Sequence, residues 1–349
     1  MTAEQLYDAP DGHRVHAAGL LRRLGPQAPA FQARLGEALS DAEHLLHACT
    51  RDASDPRVGA LAGHLAATGG KRLRPLLVLL AAEFGDPAAP GIDRAAVTVE
   101  LVHLASLYHD DVVDRATARH GSASANALWG NRPAVLAGDL LLARAARLSA
   151  DLVPEALALN ARTVNRIVAG QMRELVGPTP GGDPLEHYFE VTVGKTAALL
   201  AMSLGVGALQ AGAPRAVADV LVTYGEQLGI AFQIADDLLD LLSPESSSGK
   251  ERGRDLLMDV PSLPVVLVRQ GTDACDAELR EVLAVGPAAG SGWHRRFLDL
   301  FATSRARVRS EEILRHRLER ARTGLRALPP RDARFTLDSL CDFVASRTG

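Results

Sequence analysis

The sequence predicts an all-α protein, a single-domain helical bundle, on three observations. Apolar residues recur at helical spacing nearly throughout the 349-residue chain. Ala and Leu dominate, and both are strong helix formers. No run of alternating β-branched residues is present to build a sheet.

Gly and Pro punctuation then divides the chain into roughly a dozen helices. In order, the breaks fall at Gly85-Asp-Pro87, Gly177-Pro-Thr-Pro180-Gly-Gly-Asp-Pro184, Gly212-Ala-Pro214, Ser243-Pro244, Gly286-Pro287 and Pro329-Pro330. None has the length or composition of a domain linker. The expected organisation is an N-terminal extension over 1–30, partly disordered, followed by one domain over 31–349. The polar stretch Ser243 to Gly253 reads as a loop able to fold over a phosphate group.

Composition excludes several classes. The chain is 47% hydrophobic and 23% charged, as expected of a globular protein with a large core. A net charge of −4 offers no basic surface for nucleic acid. The polar N-terminus is not a signal peptide. The longest apolar run, Leu76 to Ala82, is too short to span a bilayer, so no transmembrane segment is expected. Cys49, Cys275 and Cys341 are few, odd in number and far apart; they form neither a disulfide framework nor a zinc site, and they suit a reducing cytoplasm.

Two copies of Asp-Asp-x-x-Asp carry the functional signal. Asp110, Asp111 and Asp114 close one apolar run; Asp236, Asp237 and Asp240 close another, 126 residues later. On a helix, positions i and i+4 share a face, so Asp110 aligns with Asp114 and Asp236 with Asp240. Such like-charge pairs cost about 0.2–0.5 kcal/mol each, and desolvating them costs more. A bound cation removes that cost, and carboxylate-only donors suit Mg²⁺ shared with a substrate phosphate. A single copy reads more readily as a solvated helix face; the repeat shifts the balance towards metal.

The lysines point the same way. Only three of the 38 basic side chains are Lys, and Lys71, Lys195 and Lys250 each follow a glycine. Glycine lets a backbone approach a ligand closely, and Lys is a common phosphate binder. Gly194-Lys195-Thr196 is not a P-loop: Phe189 stands where that motif needs glycine, and no strand is predicted before it.

Together these segments resemble the trans-polyprenyl diphosphate synthases, in particular long actinobacterial members, from about residue 55 to the C-terminus. The resemblance rests on Gly70-Lys71-Arg72-Leu73-Arg74-Pro75, Glu100 with His103, His109-Asp110-Asp111-Val-Val-Asp114, Arg119-His120-Gly121, Gly138-Asp139, Gly170-Gln171 with Glu174, Gly194-Lys195-Thr196, and Phe232-Gln233 with the second Asp cluster. It implies an isoprenoid-synthase-type helical bundle around a deep central cavity, usually a homodimer. It also implies Mg²⁺-dependent condensation of isopentenyl diphosphate with an allylic diphosphate.

The resemblance assigns all six aspartates to two or three Mg²⁺ ions. Arg119, Lys195 and Lys250 would contact the allylic diphosphate, and Lys71, Arg74, His103 and His120 the isopentenyl diphosphate. Gln171, Thr196 and Gln233 would line the reaction centre. Small residues at Ala105 and Ser106, about one turn before Asp110, imply a product of C20 to C40.

Two positions depart from the family pattern: His120 replaces a second Arg, and Val260 stands where many members have Lys. Both weaken the positive field and leave room for a terpene cyclase, or a transferase to another acceptor, on the same fold. A non-catalytic subunit of a heteromeric synthase is disfavoured, since a scaffold has no use for intact Asp clusters and all three lysines.

Overall fold

The computed structural model describes residues 28–51, 54–119, 121–242, 252–289 and 292–347. His120, Lys250, almost all of the predicted phosphate-covering loop and residues 1–27 of the predicted extension lie outside the described residues. The expected boundary at residue 30 falls in the first turn of a helix that begins at Pro29.

Sixteen α-helices account for most of the described residues: α1 (Pro29–Arg51), α2 (Pro56–Ala67), α3 (Leu73–Ala82), α4 (Ile92–Val113), α5 (Ala125–Trp129), α6 (Asn131–Ser149), α7 (Pro154–Val176), α8 (Pro184–Thr192), α9 (Ala198–Gln210), α10 (Arg215–Leu242), α11 (Arg254–Leu257), α12 (Leu263–Gln270), α13 (Ala277–Val285), α14 (Trp293–Phe301), α15 (Arg305–Leu325) and α16 (Asp332–Ala345). The sequence expectation of about a dozen falls short because helices as brief as α5 and α11 carry less than two turns of periodicity. The only strands among the described residues are β1 (Ala118–Arg119) and β2 (Ser122–Ala123), an antiparallel pair with Arg119 opposite Ser122.

The predicted breaks separate helices as expected wherever they are described. Pro starts are reinforced by side-chain caps: Asp55 accepts from the Arg57 N–H before α2, and Asp183 from the Leu185 N–H before α8, both at 2.9 Å.

The chain divides into two compact units, each assembled from three stretches of sequence. Unit 1 comprises Met1–Val164, Met202–Val222 and Leu328–Ser339; unit 2 comprises Asn165–Ala201, Thr223–Ala327 and Leu340–Gly349. In unit 1, α4 packs against α1, α3 and α6. Every residue of α3 from Pro75 to Ala82 is buried, as a helix apolar on all sides requires. Gly207 meets α3 backbone to backbone; a Cβ there would lie 2.2 Å from the Val78 carbonyl oxygen. Tyr108 of α4 is fully buried, donates to the Leu61 carbonyl at 2.5 Å and accepts from the Leu65 N–H at 3.3 Å, which fixes α2.

Arg72 is the charged centre of unit 1. Its Nε and Nη2 grip both Glu43 oxygens of α1 at 2.7 Å, Nη1 donates to Glu100 of α4 at 3.0 Å, and Nη2 also donates to the Ala66 carbonyl of α2 at 2.8 Å. Arg72 adopts the left-handed region, φ 46°, immediately before α3. That strain is held by four hydrogen bonds to a buried guanidinium. Burial opposes the charge on Glu43, but hydrogen bonds from His47 and Arg72 outweigh it and hold its carboxyl at about 2.

In unit 2, α12 packs against α8 and α15, and α13 against α14. Between α8 and α9, Val193–Ala197 form a π-helical turn. The continuous helical path Pro184–Gln210 is the one described segment long and apolar enough to cross a membrane, unlike the shorter run singled out from sequence; 78% of its apolar window is buried, as for a core helix of a folded protein. Cys49 and Cys341 are buried and Cys275 exposed, and none forms a disulfide.

Candidate active site

Both acidic clusters occupy the final turns of their helices. Asp110 and Asp111 lie in the last turn of α4 and Asp114 is its C-cap; Asp236, Asp237 and Asp240 lie in the last two turns of α10. Backbone carbonyls make a helix C-terminus the negative end of its dipole, so carboxylates there are disfavoured by about 0.3–1 kcal/mol each. The fold therefore places its carboxylates where nearby positive charge or hydrogen-bond donors relieve them.

The six aspartates are not equivalent. In unit 1, Asp111 is fully buried and its Oδ1 accepts from Arg119 Nε at 2.9 Å and Nη2 at 2.5 Å. Its Oδ2 is buried with no hydrogen-bond partner among the described residues. Asp110 is half-buried and Asp114 exposed. In unit 2, Asp237 is buried and its Oδ2 accepts from the Tyr188 hydroxyl at 2.7 Å and the Leu263 N–H at 2.9 Å. Its Oδ1 accepts from Gln233 Nε2 at 2.9 Å. Burial pushes the Asp237 carboxyl up to about 7 against the opposing pull of those three donors. Asp111 and Asp237 are thus the two buried members of the clusters, whereas Asp110, Asp236 and Asp240 are half-buried and Asp114 exposed.

Asp240 accepts from the Arg254 and Asp255 N–H groups at 3.2 and 3.1 Å, which ties α11 back to α10. Asp236 pairs with Arg347 at 2.5 Å, and the Arg347 guanidinium also stacks over Phe232, 4.5 Å from the ring centroid. Among the described residues, no three His, Cys, Asp or Glu side chains are grouped closely enough to hold a metal ion unaided. Carboxylate oxygens are the donor type that a hard cation such as Mg²⁺ takes, with waters and substrate phosphate completing its shell.

Around the first cluster, His109 Nε2 lies 3.2 Å from the Val135 carbonyl and 3.3 Å from Asp139. A Cβ on Gly138 would lie 2.4 Å from that nitrogen, which is why glycine stands there. Lys71 is exposed, and Arg74 and His103 are half-buried. Of the two chain-length candidates, Ala105 has no exposed surface, whereas Ser106 is half-buried with its hydroxyl donating to the His103 carbonyl at 2.8 Å.

In unit 2 a pocket of about 100 Å³ is lined by Glu174, His187, Tyr188, Lys195, Thr196, Gln233, Asp237, Asp255 and Val260 among others. The π-helical turn sets two of these side chains. The wider turn brings Gly194 against Gly170 of α7, so that a Cβ on Gly194 would lie 2.9 Å from the Gly170 Cα. Lys195 then reaches Glu174 at 2.7 Å, and Thr196 donates to Gln233 Oε1 at 2.9 Å. Gln171 is half-buried, with Nε2 buried and lacking a hydrogen-bond partner among the described residues. The departure noted at Val260 sits in this pocket wall.

Sequence reasoning gave no role to Tyr188, Glu174 or Arg347. Tyr188 lies seven residues, two helical turns, before Lys195. That spacing is the one signal that placed it beside Lys195.

The sequence profile of the polyprenyl synthetase family matches residues 55–291. A nonaprenyl diphosphate synthase of Mycobacterium tuberculosis is 38% identical over 320 residues, covering 91% of this chain and 95% of that protein. A heptaprenyl diphosphate synthase component 2 of Geobacillus stearothermophilus is 34% identical, covering 91% of this chain and 98% of that protein. Among solved structures, a geranylgeranyl pyrophosphate synthase from Corynebacterium glutamicum complexed with calcium and isoprenyl diphosphate superposes with a TM-score of 0.82, at 37% identity, covering 92% of this chain and 98% of that one.

Proposed function

The chain belongs to the polyprenyl synthetase family, and from that premise we propose that it makes C20 to C40 trans-polyprenyl diphosphates, using Mg²⁺ held by its aspartates. It is a prenyltransferase that condenses isopentenyl diphosphate with an allylic prenyl diphosphate. The observation that carries the reading is the twice-repeated carboxylate cluster in the final turns of α4 and α10, against the dipole of each helix.

The reaction breaks the allylic C–O bond, and the electron pair leaves with the diphosphate. The double bond of isopentenyl diphosphate supplies the pair for the new C–C bond, and a proton is lost. Asp110, Asp114, Asp236 and Asp240 would hold two or three Mg²⁺ ions; the calcium in the Corynebacterium structure supports divalent-metal use. When bound, Mg²⁺ supplies positive charge to the departing diphosphate. Arg119, Lys195 and Lys250 add further positive charge, while Lys71, Arg74, His103 and His120 hold isopentenyl diphosphate. Asp111 acts on Arg119 rather than on the metal, and Asp237 on Gln233. Gln171, Thr196 and Gln233 line the reaction centre, and the apolar helices keep water from the cation.

With Mg²⁺, isopentenyl diphosphate and an allylic primer, the purified protein is expected to release products within C20 to C40, resolved by chromatography after dephosphorylation. Products confined to C15 or shorter contradict this range. The half-buried Ser106 is the chain-length position of the two proposed, since Ala105 is sealed in the core. Ser106→Phe is expected to shorten the product by one or more isoprene units. Unchanged length in that variant removes Ser106 from the cavity wall.

A homodimer is proposed, as the family resemblance implies, and exposed apolar side chains support it. In unit 1, Leu128 and Leu136 are 50% and 65% exposed; in unit 2, Met172, Leu175 and Val176 on α7 are 60%, 62% and 83% exposed. Sedimentation equilibrium at micromolar concentration is expected to return twice the chain mass, and a monomer under those conditions contradicts the assignment.

A further inference from the structure

Asp237, Gln233 and Thr196 form a chain of hydrogen bonds whose direction is fixed at one end. The Leu263 backbone N–H can only donate, so the atom it meets, Asp237 Oδ2, must accept. The Tyr188 hydroxyl donates to the same oxygen. Gln233 turns its NH₂ group to the other carboxylate oxygen, donating from Nε2 to Asp237 Oδ1 at 2.9 Å. The Gln233 carbonyl oxygen then faces Thr196 and takes the single hydroxyl proton that Thr196 has. The Thr196 oxygen is left with lone pairs only, and Tyr188, Thr196, Gln233 and Asp237 all line the same pocket.

We propose that Asp237, anchored by Tyr188 and the Leu263 N–H, is a positioning residue that sets the polarity of the pocket: through Gln233 it makes Thr196 a hydrogen-bond acceptor facing electron-poor carbon. This rests on the prenyl-transfer reading above and deepens it. It removes Asp237 from the metal site, and it gives Tyr188 a role. An acceptor-only oxygen aims a negative dipole at developing positive charge, whereas a donated hydroxyl proton would oppose it.

The test inverts the chain and then restores it. In Asp237→Asn the new side chain is isosteric, and the Leu263 N–H keeps its oxygen in the Oδ2 position. Its NH₂ therefore points at Gln233, which must flip, forcing Thr196 to accept and to aim its O–H into the pocket. Adding Gln233→Glu restores an acceptor opposite both the new amide and the Thr196 hydroxyl, and Thr196 regains its original direction.

At pH 8, Asp237→Asn is expected to lower kcat about 10- to 100-fold, the range of a misdirected charged hydrogen bond. KM for both diphosphates and the Mg²⁺ dependence of binding a non-hydrolysable allylic diphosphate analogue, read by calorimetry, should stay within about twofold. The double variant Asp237→Asn, Gln233→Glu is expected to recover at least half of the loss on a logarithmic scale, although Gln233→Glu alone is harmful. Two results overturn the proposal. One is losses that multiply in the double variant. The other is weakened Mg²⁺-dependent analogue binding in Asp237→Asn, which would make Asp237 a metal ligand and leave the prenyltransferase reading intact. Loss of analogue binding and of all product in the unaltered chain would instead contradict the prenyltransferase reading itself.

Discussion

Asp110→Ala is expected to lower turnover by about 10²–10³-fold or more, the scale of removing one electrostatic contact to charge that develops in a transition state. The fold should survive the change and gain slightly. Asp110 lies half-buried in the last turn of α4, where the helix dipole disfavours a carboxylate by about 0.3–1 kcal/mol. A chemical-denaturation midpoint equal to or above that of the unaltered chain, together with near-abolished product formation, is the expected combination. Asp236→Ala should match it in activity, though its ion pair with Arg347 offsets the gain in stability. Full turnover in both variants would remove the aspartates from the chemistry. Asp111→Ala belongs to a different class. It strips Arg119 of its buried partner, so activity and stability should fall together.

The second large effect is on folding. Arg72→Ala leaves Glu100, buried with one carboxylate oxygen already lacking a hydrogen-bond partner, and Glu43 without their shared cation. Breaking a buried ion pair from one side costs about 3–5 kcal/mol, which is a large share of the stability of most domains. The loss should appear as a lower urea midpoint at pH 7. The acid limb is also informative. The Glu43 carboxyl is depressed from 4.5 to about 2 in the folded protein, so its contribution is present above 4.5 and disappears as pH falls through 2. Without Arg72, the decline in stability across that window should be shallower. A variant with an unchanged midpoint would mean that the three helices around Arg72 do not depend on it.

The helical class and the positions of its breaks were legible because Gly and Pro act locally: the predicted stops at Gly85-Asp-Pro87, Gly212-Ala-Pro214 and Pro329-Pro330 all fall between helices. The two-unit organisation was not. Four of its five junctions lie inside α7, α9, α10 and α16, where no change of composition marks them. The acidic clusters and Gly-Lys pairs were legible as spacing, but spacing does not record which way a side chain turns. Asp110 and Asp111 look alike in sequence and differ in burial because Arg119, eight residues on, takes one of them. Tyr188 and Arg347 escaped notice because their partners, Asp237 and Asp236, are distant in sequence and the contacts are tertiary. The π-helical turn at Val193–Ala197 has no periodic signature either; only the glycine pair Gly170 and Gly194 hints at the close backbone approach it makes.

The most direct test of the central claim is a product assay with Mg²⁺ and geranyl, farnesyl or geranylgeranyl diphosphate, each with and without isopentenyl diphosphate. The predicted result is longer prenyl diphosphates that form only when isopentenyl diphosphate is present. A hydrocarbon or alcohol released from the allylic substrate alone would contradict it, and would mean that the departures at His120 and Val260 mark an enzyme that ionises without elongating.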